Sequence, residues 1–136
     1  MKRNYLAGFI VSLLFFAFSQ VHAQIDAVAQ HPIDAEITEC YNTNPSKLGI
    51  MECEIMGYQK WKAEVSRVYN ILLSKLDEEG QLILKEQQLA WEALIKLEFE
   101  LNEKLYAQQI SLLATTTTDL MRKRAMELQS HLDVLQ

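Results

Sequence analysis

Residues 58–76 read YQKWKAEVSRVYNILLSKL. Their apolar anchors are Tyr58, Trp61, Val65, Val68, Leu72 and Leu76, separated by three, four, three, four and four positions. That spacing holds one stripe on a single helix face and fits no strand. The helix begins near Leu48, where Ser46 is placed to cap it. Gly57 costs about 1 kcal/mol inside a helix, so a local reason for a missing side chain is expected there. The helix should stop at Asp77-Glu78-Glu79-Gly80, with glycine in the left-handed position after a helix end and the acids in the first turn of the next helix.

Downstream, Leu84, Gln88, Trp91, Ile95, Leu101 and Leu105 mark the inner face of a second long helix, with Gln88 polar on an otherwise apolar stripe. Thr115 to Thr118 are β-branched, poor in a helix interior and better at its start. Thr116 with Asp119 approximates a capping box. A last helix follows, with Met121, Ala125, Leu128, Leu132 and Leu135 on one face.

Upstream, Asp34 to Tyr41 could form a short helix, and Asn42-Thr43-Asn44-Pro45-Ser46 is the clearest loop. No run alternates long enough to argue for a strand. The expected fold is all-α: a long antiparallel helical hairpin, a third C-terminal helix packed back, and a short disulfide-stapled N-terminal segment. Trp61 and Trp91 should anchor the hairpin core in different layers, with Trp61 nearer Leu97 to Leu101.

The N-terminus has another character. Lys2 and Arg3 precede an apolar run from Tyr5 to Phe18, and Val21-His22-Ala23 offers small residues to a signal peptidase. This is the layout of a secretory signal, with cleavage expected after Ala23. An uncleaved anchor is the weaker reading, because a span needs about 20 apolar residues and this core holds about 14. The expected division is signal peptide 1–23, flexible tail 24–37 and one helical domain 38–136. The destination is the periplasm or the exterior, with no membrane attachment after cleavage.

Removing Lys2 and Arg3 takes the balance from 13 basic and 18 acidic residues to 11 and 18, and the net charge from −5 to −7. Such a chain repels nucleic acid and anionic membranes and is drawn to basic proteins. Cys40 and Cys53 are its two cysteines. Outside the cytoplasm two cysteines in a small domain most often pair, closing a loop of about a dozen residues worth about 3 kcal/mol. A zinc site is the lesser alternative, since it needs about four ligands and no histidine lies nearby.

Catalytic templates fail. Only four glycines exist, none clustered into a phosphate loop, and no histidine lies between residues 32 and 130. Glu98, Glu100 and Glu103 read as a solvated face rather than an acid–base pair, and Arg122-Lys123-Arg124 likewise as a solvated face. No cofactor or metal is expected.

The order Cys40, Cys53, Arg67-Val68-Tyr69, Glu79-Gly80, then Leu84, Gln88 and Trp91 resembles LprI-type lysozyme-inhibitor domains. There the pattern is two cysteines, an Asn-x-x-Tyr and a Leu-x-x-x-Gln-x-x-Trp. Arg124-x-x-x-Leu128 resembles the family's closing helix, and coverage runs from about Thr38 to Leu132. The family's Asn is Ser66 here, and its Arg-Asp after the Trp is Ile95-Lys96. A second cysteine pair found in many members would fall near Phe99 and Thr115–Thr118, and both members are absent. The resemblance implies a protein-binding domain directed at a lysozyme, a basic enzyme that an acidic surface would steer in. Tyr69, Leu84, Gln88, Trp91 and Arg124 are then family positions of structural character. The competing reading is a non-enzymatic envelope structural or assembly protein that uses the hairpin as a docking surface.

Overall fold

The computed structural model describes residues 30–135, which form four helices: α1 (Pro32–Thr43), α2 (Lys47–Lys75), α3 (Glu78–Tyr106) and α4 (Ile110–Val134). The expected signal peptide and most of the expected tail lie outside the described residues. Residues 32–37 are helical rather than tail, because Ile33 and Ile37 of α1 pack on the core. Among the described residues no helix is long and apolar enough to cross a membrane, and no cluster of His, Cys, Asp or Glu could hold a metal ion.

The stripe on α2 is buried as its spacing requires: Trp61 is 1 % exposed, Val68 0 % and Leu72 3 %. Its main neighbour, however, is α4 rather than α3. Met121, Ala125, Leu128 and Leu132 of α4 complete the core, and Leu84 is its fully buried member from α3. The two arms of the α2–α3 hairpin touch only lightly along their length. Leu97 and Leu101, expected beside Trp61, are exposed, as is Leu105. The inner face of α3 instead continues from Ile95 to the half-buried Phe99 and the buried Asn102. Leu135 also lies outside the core, which ends at Leu132.

The helix ends have local causes. Ser46 caps α2 by accepting from the Gly49 N–H at 3.0 Å. At the hairpin turn the Asp77 carboxylate accepts from the Gly80 N–H at 2.9 Å, so α3 starts one residue after Asp77. Gly80 is therefore a first-turn helical residue, and no glycine among the described residues has positive φ. The missing Gly57 side chain lets α1 lie close, since a Cβ there would stand 2.5 Å from Ile37 Cδ1.

The threonine run does not start a helix. α4 begins at Ile110, with no side-chain cap from Gln109, and passes straight through Thr115–Thr118. Each of these hydroxyls donates to a backbone carbonyl three or four residues earlier, which satisfies the hydroxyl within the helix. Thr118 also donates to the Glu54 carbonyl at 3.0 Å, pinning α4 to α2.

The Cys40–Cys53 disulfide forms, with Cα atoms 5.7 Å apart, and ties α1 to α2. An Arg122–Asp34 ion pair at 2.9 Å and a Lys60–Glu36 pair hold the N-terminal half of α1 to α4 and α2.

Candidate protein-binding groove

Between α2 and α3, which touch only lightly, lies an open groove. Val65, Ser66, Tyr69 and Asn70 form its α2 wall, opposed by Lys85, Gln88, Leu89 and Glu92 of α3. Further from the hairpin turn it continues between Tyr58 and Lys62 on one side and Trp91, Ile95 and Phe99 on the other, floored by Met121 of α4. Tyr58 and Phe99 meet edge to face across it, with ring centroids 6.4 Å apart. Tyr58, Tyr69, Trp91 and Phe99 are all half-buried. Two cations and a carboxylate at the rim leave the groove mixed in charge.

The α3 wall is set by a buried guanidinium. Arg124, read from sequence as part of a solvated basic face, is only 2 % exposed. It sits 5.3 Å from the Trp91 ring centroid, a cation–π distance. Its terminal nitrogens donate to Gln88 Oε1 at 2.9 Å and to Glu127 Oε2 at 3.0 Å. Its Nε, buried, has no acceptor among the described residues. The Gln88 amide then donates through Nε2 to Glu92 Oε1 at 3.0 Å. A glutamine suits this position because one amide offers an acceptor to the cation and a donor to the carboxylate. The polar interruption of the α3 stripe thus connects the α4 guanidinium to the groove rim.

The residues singled out in the sequence therefore separate into three places. Gln88, Trp91 and Arg124 come together, and Tyr69 and Ser66 face the first two across the groove. Leu84 belongs to the core. Cys40 and Cys53 belong to the α1 staple. Lys96 is exposed, whereas Ile95 lines the groove.

Sequence reasoning missed Glu54, which is 3 % exposed. Its carboxylate accepts from the Tyr41 hydroxyl and from Thr115 Oγ1 at 2.8 Å, joining α1, α2 and α4. Burial first, then the hydrogen bond to Glu54 and its charge, push the Tyr41 pKa well above its ordinary value. A signal was present: Glu54 lies four residues before Tyr58, on the continuation of the apolar stripe.

The sequence profile of the family described as "Lysozyme inhibitor LprI" matches residues 34–128. The chain belongs to the LprI lysozyme-inhibitor family. That match spans α1 from Asp34, all of α2 and α3, and α4 as far as Leu128, and so takes in both walls of the groove and Arg124. Neither a search of curated proteins nor one of solved structures finds a match. Membership of the LprI family gives the fold a protein-directed context, since the family description names an inhibitor of an enzyme.

Proposed function

We propose that this protein is an extracytoplasmic inhibitor that binds a basic lysozyme through the α2–α3 groove. The family match across residues 34–128 carries the reading. The groove supports it, because half-buried aromatic side chains backed by a fixed polar network are the kind of anchor on which protein interfaces depend. An excess of acids over bases favours encounter with a cationic enzyme. Export is inferred from the positively charged start, the apolar run and Val21-His22-Ala23. The chain's own role is steric: it covers the enzyme and performs no chemistry of its own.

A lysozyme inhibition assay on purified residues 24–136 tests this. Wild type should lower the rate of cell-wall lysis in a dose-dependent manner. Ser66→Trp fills the groove from an exposed helical position, and should abolish inhibition while leaving the melting temperature unchanged. Absence of inhibition by wild type sinks the lysozyme reading. Full inhibition by Ser66→Trp would move the contact away from the groove.

A further inference from the structure

α3 carries two apolar stripes rather than one. The first, through Leu84, Trp91, Ile95 and Phe99, faces the core and the groove. The second runs through Ile83, Ala90, Leu94, Leu97 and Leu101, with steps of seven, four, three and four. Its large members are 59 %, 55 %, 61 % and 52 % exposed, in the order Ile83, Leu94, Leu97 and Leu101. At 100° per residue it lies about 130° around the helix from the groove-facing side. Such a seven-residue recurrence keeps a seam facing another helix over several turns. No described residue of this chain covers it.

We propose that this stripe is the interface of a homodimer in which two copies of α3 pack antiparallel. Two features of the stripe select a second copy in that orientation. From Ala90 to Leu101 its spacing of four, three and four is symmetric about a point between Ile95 and Lys96, while Ile83 extends beyond the mirrored part. A twofold axis there sets Leu94 against the partner's Leu97 and the small Ala90 against the partner's Leu101, a large-into-small fit. The flanking charges agree. Glu86 and Lys104 are both exposed, border the same edge of the stripe and lie nearly equidistant from the midpoint. The antiparallel pair therefore places each Glu86 beside the partner's Lys104, twice. Parallel packing in register would place these edges on opposite sides of the seam and each Glu86 about 27 Å along the axis from the partner's Lys104, so the pairing would be lost. Opposed helix directions also set the two macrodipoles favourably. The groove stays open in each subunit, so this assembly is independent of the inhibitor reading.

Sedimentation velocity of the protein recovered from producing cells, from micromolar to submillimolar concentration, tests the proposal. Wild type should show a concentration-dependent dimer. Leu97→Glu should raise the dissociation constant by about 30-fold or more, as loss of a central anchor does, with unchanged helical circular dichroism and melting. Leu97 is exposed, so the variant has no core to disrupt. Glu86→Lys should weaken the dimer, and adding Lys104→Glu should restore it. A monomer at every concentration, or a dimer indifferent to Leu97→Glu, overturns the interface. Failure of Lys104→Glu to rescue Glu86→Lys overturns the antiparallel register.

Discussion

Gly57 is where α1 comes nearest to α2, and it makes a sharp test of the packing. An alanine there gains about 1 kcal/mol of helix propensity, yet its Cβ meets Ile37 Cδ1 at 2.5 Å and Thr118 Cγ2 at 3.3 Å. Overpacking of this kind costs about 1–3 kcal/mol, so Gly57→Ala should destabilise in urea melts. Ile37→Val removes the offending methyl and should cost less in the Gly57→Ala background than alone. Tyr41 offers a test by pH. Its pKa is raised from the ordinary 10.0, so the folded state holds a proton that the unfolded chain releases. The stability this contributes is complete below pH 10 and is lost as pH rises through the folded value. Alkaline melts should therefore fall more steeply for wild type than for Tyr41→Phe. Arg124 fills space beneath Trp91 as well as carrying charge. Arg124→Ala should cost about 2–4 kcal/mol in the same urea melts.

The disulfide and the helices can be separated experimentally. Reduction of Cys40–Cys53 should lower stability by about 3 kcal/mol while leaving most helical circular dichroism in place, because the α2–α4 core lies largely beyond Cys53. Thiol counts with and without reductant should differ by two, with no intermolecular bridge. Much of this architecture was legible in the chain. The step pattern from Tyr58 to Leu76 defined α2, Ser46 capped it as expected, and the oxidised pair was inferred from residue type. The continuation of α3 was misread. Phe99 and Asn102 keep the helical steps of four and three from Ile95, whereas Leu101 falls six residues on, about 120° off the stripe. Following apolar character past the polar Asn102 picked the wrong face. The start of α4 was also misread. Threonines disfavour helix interiors on average, but here their hydroxyls return to carbonyls of the preceding turn, and Thr118 gains a second acceptor on α2. Of the groove, Gln88 and Trp91 were marked in advance by their place on the stripe. Burial of Arg124 was hidden, because adjacent basic residues point in different directions and their local sequence resembles a solvated run.

Long-range electrostatics belong to the protein as a whole. If acidic charge steers a basic enzyme, reversing Glu98, Glu100 and Glu103 together should slow association and flatten its dependence on salt, with no change in melting. Stopped-flow mixing at several ionic strengths measures this. The dominant α2–α4 packing has a further consequence, concerning time. Trp61, Val65 and Val68 wait for Met121, Leu128 and Leu132, residues made some sixty positions later. Local hairpin contacts between α2 and α3 are too sparse to hold a folded intermediate while synthesis continues. A chain ending before Met121 should thus show no cooperative melt, and folding should start only once α4 is present. Such late closure would suit the export proposed above, because a chain still without its core stays unfolded and can thread a translocation channel.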